Sequence, residues 1–164
     1  MNQSAYIPHF RTVILRPNPV QFIIDEFPVL PPCLAGLAYG GMEKPLSGVA
    51  LAVSLMLGMF LLYRYVSLRR IRYRIGEEQL VCESGVFQRK VDYLELYRVV
   101  DFHEHQTLLQ QVLGLKTVRI YSTDRNAPRQ DLTGIRKNLD IVHTIRERVE
   151  YNRKKKGIYE ITNH

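Results

Sequence analysis

The sequence has few of the residues from which catalytic and metal sites are built. Its two cysteines, Cys33 and Cys82, lie in an apolar stretch and in a predicted strand, so we expect both to be reduced and structural. No Cys/His pattern has the spacing of a zinc site. No serine or cysteine lies in a nucleophile motif, and no glycine-rich phosphate loop is present. The sequence therefore predicts a noncatalytic protein that needs no metal or other cofactor.

Charge is scarce in the first third of the chain. Only three of the 23 Lys and Arg residues and three of the 16 Asp and Glu residues precede Arg64. The remaining 20 basic and 13 acidic residues account for the whole net charge of +7. A cationic surface favours anionic partners, which are lipid headgroups, nucleic acid or acidic proteins.

The longest uncharged apolar segment runs from Leu46 to Tyr63, and its apolar character continues to Val66. A helix over 46–66 would span about 31 Å, which matches a hydrocarbon core of about 30 Å. The segment lacks the polar periodicity of a helix on a soluble core. It predicts a transmembrane helix.

A second uncharged stretch, at about 27–41, is shorter and contains three prolines. A short spanning helix, a re-entrant segment and an interfacial segment are all compatible with it, and we expect a span. The two helices would then form a hairpin that turns at 42–45. Small residues spaced four apart, which are Gly36 and Gly40 in one segment and Ala50, Ser54 and Gly58 in the other, would allow close helix contact. They also leave a self-associating dimer open.

Five arginines follow the second segment with no acidic residue among them, which indicates a cytoplasmic flank by the positive-inside rule. Arg11 and Arg16 suit a cytoplasmic N-terminus, as a two-span hairpin requires. With one span the N-terminus would lie outside. The expected segments are an N-terminal segment at 1–19, an anchor at 20–66, a domain at 67–152 and a basic tail at 153–164.

The domain has short alternating apolar runs that predict strands, followed by one amphipathic helix. Asn138 is the expected N-cap of this helix, and Leu139, Val142, Ile145 and Val149 form its apolar stripe. A helix that closes one open side of a bent sheet would complete a single core. The predicted fold class is therefore a membrane-anchored α+β protein.

Several motifs of this region, taken in order, resemble the bacterial pleckstrin-homology-like (PH-like) family, whose members carry the domain directly behind a membrane hairpin. They are Arg72-Tyr73-Arg74-Ile75, Glu83-Ser84-Gly85-Val86-Phe87, Arg98-Val99-Val100-Asp101, Leu109-Gln110-Gln111-Val112-Leu113-Gly114-Leu115, Thr117-Val118-Arg119-Ile120 and Leu132-Thr133-Gly134-Ile135. The resemblance implies a bent, partial β-barrel with a C-terminal capping helix, used for binding more often than for catalysis. The turn Gly76-Glu77-Glu78-Gln79 is acidic where phosphoinositide-binding PH domains are basic, so inositol-phosphate recognition is not expected.

The expected function is a membrane-tethered scaffold that recruits a protein partner at the cytoplasmic face of a bacterial inner membrane. Confinement to the membrane raises the effective concentration of the domain toward other membrane proteins. The alternative is direct binding of anionic lipid headgroups, and a membrane enzyme comes third. Nucleic acid is not the expected partner, because the anchor holds the chain at the membrane.

Two sets of residues are candidates for these interactions. The membrane-surface set is Arg64, Arg69, Arg70, Arg72, Arg74, Arg153, Lys154, Lys155 and Lys156. The partner-binding set is His103, His105, Arg125 and Arg129. His103 and His105 would share one face of a strand, but no third ligand accompanies them, so a metal site is not expected.

Overall fold

The computed structural model describes residues 10–125 and 127–157. Three helices lie near the start of this part, α1 over Val20–Asp25, α2 over Leu30–Gly40 and α3 over Ser47–Arg70. Helices α1 and α2 follow one another antiparallel to α3. The rings of Phe22 and Tyr65 meet edge-on at 5.4 Å between centroids, and Cys33 Sγ lies 3.6 Å from the Ser54 carbonyl oxygen.

Small residues allow α2 and α3 to pack closely. A Cβ atom added to Gly36 would overlap Ser54 Oγ, and one added to Gly40 would lie 2.8 Å from Leu51 Cβ. A Cβ at Gly58 would meet nothing within 4 Å. The predicted small-residue spacing thus serves contact within the chain, with Gly58 on the outer side of α3.

One helix in the described ranges, α3, is long and apolar enough to cross a membrane. It has 24 residues, whereas α2 has 11 and is about 16 Å long. The structure therefore contains a helical hairpin with one helix of spanning length. A second span at 27–41 stays a prediction.

The strands form two antiparallel sheets. Sheet A has the order β1-β2-β3-β4 and sheet B has the order β5-β6-β7. Their bounds are β1 Val13–Leu15, β2 Arg72–Ile75, β3 Gln79–Ser84, β4 Lys90–Glu95, β5 Val99–His105, β6 Leu115–Ser122 and β7 Arg129–Arg136. Alternate residues of these strands, such as Ile75, Leu80, Val118, Ile120 and Leu132, are fully buried and form one core between the sheets.

Strand β1 is an addition to the predicted domain, because the sequence places residues 1–19 in a separate segment. Val13 pairs with Ile75, and Leu15 pairs with Tyr73. Only one residue, Ile71, separates α3 from β2. The helical hairpin is therefore inserted between the first two strands of sheet A.

Two further helices complete the fold, α4 over Leu108–Val112 and α5 over Ile141–Lys155. Asp140 is the N-cap of α5, and its carboxylate accepts the His143 N–H at 3.0 Å. The predicted N-cap, Asn138, is therefore wrong. Leu139 precedes the helix and is 39% exposed, while Ile141, Ile145 and Val149 form the buried stripe.

Candidate functional surfaces

The five arginines from Arg64 to Arg74 do not form one patch. Arg64 pairs with the buried carboxylate of Glu26, with 2.5 Å between Nε and Oε1. Arg69 lines a separate pocket together with Pro17 and Arg136. The remaining three, Arg70, Arg72 and Arg74, share a third location.

That third location is an open pocket of about 380 Å³ between the end of α3, strand β2 and the β3–β4 loop. We call it the basic pocket; it is lined by Arg70, Arg72, Arg74, Glu83, Ser84, Gly85, Val86, Phe87 and Arg89. Glu83 forms ion pairs with Arg74 and with Arg89. In the part of the chain that the structure describes, Arg70 and Arg72 have no ion pair or side-chain hydrogen bond. Four guanidinium groups against one carboxylate leave the pocket strongly cationic.

Phe87 lies at the rim of the basic pocket and is 88% exposed. Its ring stacks on Tyr63 of α3, with 6.0 Å between centroids and 10° between planes. Gly85 has a φ of +106°, and a Cβ there would overlap the Gln88 carbonyl oxygen, so the turn requires glycine. The β3–β4 loop is thereby held beside α3 where its uncharged segment ends.

In the described part of the basic tail, 153–157, three of the four cations contact the domain. Arg153 Nη2 donates to the Val99 carbonyl oxygen at 2.7 Å, and Lys156 Nζ lies 3.7 Å from the Tyr97 ring centroid. Lys155 Nζ lies 2.7 Å from Glu78 Oε1, and this hydrogen bond lowers the pKa of Glu78. Lys154 is exposed. A role for these four residues at a membrane surface stays a prediction.

The outer face of sheet B brings two predicted partner-binding residues together. His103 pairs with Arg119 across the β5–β6 ladder, and Arg119 pairs with Asp131 across the β6–β7 ladder. Both Arg119 and Arg129 bind the Asp131 carboxylate. The hydrogen bond from Arg129 is the main reason that the pKa of Asp131 falls to about 2, with Arg119 contributing further.

The other two predicted partner-binding residues lie away from this network. Arg125 is exposed in the β6–β7 loop, and His105 lies opposite Thr117 at the far end of the ladder. The Nδ1 atom of His105 is buried without a hydrogen bond in the described structure. In the residues described, no group of three or more His, Cys, Asp and Glu side chains is placed to hold a metal ion.

Sequence reasoning missed the open edge of β5, since alternation predicts a strand but not which strands lie beside it. Among the strands of the described residues, β5 pairs with β6 alone. Val100 falls at a register irregularity between Val99 and Asp101 and is 58% exposed. Helix α5 lies alongside, because Arg146 is placed over the Phe102 ring at 5.9 Å.

Two antiparallel sheets that enclose one core, followed by a C-terminal helix, are the architecture of a PH-like α+β domain. The family model described as bacterial PH domain matches residues 25–151, so the chain belongs to the bacterial PH domain family. The resemblance predicted from the motifs is confirmed. No curated protein and no solved structure matched the chain in the searches.

Proposed function

We propose that this bacterial PH-domain protein is a noncatalytic module that is anchored in the membrane and binds a protein partner along the edge of β5. PH-like domains are in general binding or scaffold modules, which supports the class of function. The open edge of β5 is the observation that supports binding of a protein partner at that strand. An unpaired strand edge offers main-chain donors and acceptors to an added strand.

Charge does not distinguish β5 from β4, the strand at the edge of sheet A, since β4 carries the Lys90–Asp92 ion pair and Glu104 of β5 pairs with Lys116. The position of α5 favours β5, because α5 lies beside it through Arg146 and Arg153, and Val100 is an exposed apolar contact. An extended peptide added to this edge would lie next to α5.

Site-specific photo-crosslinking in native membranes tests this function. A crosslinking residue at Val100 should capture a partner, whereas one at Tyr93, which is 61% exposed on β4, should not. Val100→Glu should reduce co-purification of that partner at least fivefold and leave membrane anchoring intact. Equal capture at both positions, or unchanged co-purification with Val100→Glu, would contradict the proposal.

The pairing of β1 with β2 supports a two-span anchor. Val13–Leu15 precedes the helical hairpin and Arg72–Ile75 follows it, yet both belong to sheet A. The chain must therefore enter and leave the membrane on one side. If α3 crosses the bilayer, the α1–α2 segment has to cross it in return.

Local thinning of the bilayer is the ordinary response to a helix as short as α2. The arginines after α3 favour the cytoplasmic side for the domain.

Binding of an anionic lipid headgroup is the second candidate function. Arg70 and Arg72 have no partner within the described residues, and they line a pocket whose rim residue Phe87 stacks on α3. This arrangement suits a phosphate held close to the membrane surface.

Thermal unfolding of the full chain in nanodiscs tests the lipid candidate. Phosphatidylglycerol should raise Tm relative to phosphatidylcholine, and Arg70→Gln with Arg72→Gln should remove that difference. Arg125→Gln is the control because Arg125 is exposed in the β6–β7 loop and absent from the pocket lining. Equal Tm values in the two lipids would exclude a headgroup site.

A further inference from the structure

Helix α4 buries one glutamine, Gln110, and exposes its apolar residues together with Gln111. Gln110 is 2% exposed, whereas Leu108 and Val112 are 80% and 83% exposed. Leu109 and Leu113 are 38% and 44% exposed. In a water-soluble domain the leucines of such a helix would face the core and the glutamine would face solvent. The reversal indicates that the outer side of α4 contacts something apolar.

Hydrogen bonds hold α4 firmly in this orientation. Gln110 Nε2 donates to Gln21 Oε1 and to Thr117 Oγ1, both at 3.0 Å. Gln110 Oε1 accepts the Thr107 N–H, and Thr107 Oγ1 accepts the Gln110 N–H, which together form a capping box. The leucines are therefore exposed because the opposite side of the helix is fixed to the domain.

The contact with Gln21 places α4 beside the base of the helical hairpin. Gln21 belongs to α1, where the next residue, Phe22, packs on Tyr65 of α3. The Glu26–Arg64 pair, which ends the uncharged part of α3, lies just beyond. Ile23 and Phe27 on the same segment are 49% and 54% exposed. The apolar side of α4 therefore lies close to the apolar surface of the hairpin.

Basic residues border the C-terminal end of α4. An open surface pocket at this end is lined by Leu113, Gly114 and Leu115 together with Arg136 and Lys137. The Lys137 N–H donates to the Gly114 carbonyl oxygen at 2.9 Å, which holds the two segments together. Apolar side chains beside basic ones are the usual composition of a segment that lies in the membrane interface.

We infer that α4 is a second membrane contact of this protein, a short interfacial element that inserts Leu108 and Val112 at the boundary between headgroups and acyl chains. Arg136 and Lys137 then face the anionic headgroups. This inference rests on the proposed anchoring of the hairpin in the membrane. With α3 and α4 both embedded, the PH-like domain has a fixed orientation on the bilayer rather than freedom to swing about one helix.

Lipid quenching of a fluorophore in the full chain tests this contact. The protein is reconstituted in phosphatidylcholine–phosphatidylglycerol vesicles, with an environment-sensitive label on a single cysteine at Val112 in a Cys33→Ala, Cys82→Ala background. Spin-labelled lipids with the quencher near the headgroup should quench the label at Val112 at least threefold more than a label at Arg125, which follows the end of β6 opposite to α4. Adding Leu108→Glu should abolish the difference and leave the far-UV circular dichroism spectrum unchanged, since Leu108 is exposed in the domain itself.

A third label position separates this inference from the anchoring on which it rests. Phe60 is 47% exposed on α3 and should be quenched by lipids labelled deep in the acyl chain. Quenching at Phe60 without quenching at Val112 would overturn the α4 contact alone. A label at Val112 that neither lipid nor aqueous iodide can quench, because a protein neighbour shields it, would also overturn that contact. No quenching at Phe60 would overturn the anchoring itself.

Discussion

Arg64 Nε lies 2.5 Å from Glu26 Oε1, so a buried carboxylate between α1 and α2 is held by a guanidinium on α3. Glu26 is 5% exposed, whereas the side chain of Arg64 is about half exposed. Two elements 38 residues apart in the chain are joined where the helical hairpin meets the domain. Removing the charge from Glu26 replaces a charge-assisted hydrogen bond at a buried site with a weaker neutral one, which is costly.

Glu26→Gln should therefore lower the free energy of unfolding by about 1–3 kcal/mol, measured by thermal unfolding in detergent micelles. Exchanging the two residues, Glu26→Arg with Arg64→Glu, should recover part of that loss. Arg70→Gln is the matched control, because Arg70 has no ion pair in the described part of the chain. A Glu26→Gln protein as stable as the control would show that the pair contributes little.

Gly36→Val should separate α2 from α3, since the added side chain would overlap Ser54. Overpacking of this kind typically costs about 1–3 kcal/mol, so Tm in micelles should fall. Gly58→Val is the control, as a Cβ there meets no atom within 4 Å. If Gly58→Val were the damaging change instead, the small residues would serve an interface between copies of the chain.

Membrane topology can be read from single cysteines in the Cys33→Ala, Cys82→Ala background. A membrane-impermeant thiol reagent applied to intact cells should label a cysteine at Glu43, in the α2–α3 loop, but not one at Lys154. A cysteine at Ser4, which lies outside the described residues, should also be protected, because β1 pairs with β2 of the domain and the proposed topology puts that domain on the cytoplasmic side. Labelling at Ser4 would indicate a single span, and protection at all three positions would indicate a re-entrant hairpin.

The contribution of Asp131 to the free energy of unfolding should be lost at acid pH. The pKa of Asp131 is lowered to about 2 in the folded protein, below its ordinary value of 3.8, so the contribution is present above about pH 4 and is lost as pH falls through 2. The site is largely solvated, so Asp131→Asn should cost less than about 1 kcal/mol at pH 7. The difference from the unsubstituted protein should disappear near pH 2 in urea titrations. Asp101→Asn, at an exposed position of β5, is the matched control substitution.

The soluble domain should need β1. A chain that starts at Arg69 exposes the edge of β2 that Val13–Leu15 covers, and it loses the hydrogen bond from Arg148 to the Arg11 carbonyl oxygen at 2.8 Å. Residues 10–18 joined by a short flexible linker to 69–157 should therefore be monomeric and have a higher Tm than 69–157 alone. Light scattering and thermal unfolding measure both properties, and equal behaviour of the two chains would mean that β1 is dispensable.

Local patterns predicted much of the domain. Alternation and β-branched residues are typical of β2, β3, β5 and β6, and Gly114, with a φ of +66°, follows the end of α4. Two features escaped prediction for a physical reason. Strand β1 has three residues, which are too few to show a period. Asn138 and Asp140 are both residue types that suit an N-cap, and the burial of Ile141 in the core decides that the helix begins after Asp140.

The sequence by itself determined the uncharged helix α3, the cationic domain behind it and the family, because these depend on composition and on motifs close together in the chain. Tertiary structure alone decided that β1 returns to sheet A, that Glu26 receives Arg64 and that the tail cations bind Glu78 and Tyr97. It also decided which side of α4 is buried, through Gln21, a residue 89 positions from Gln110. Periodicity shows that a helix has two faces, but the partner that each face meets depends on contacts between distant parts of the chain.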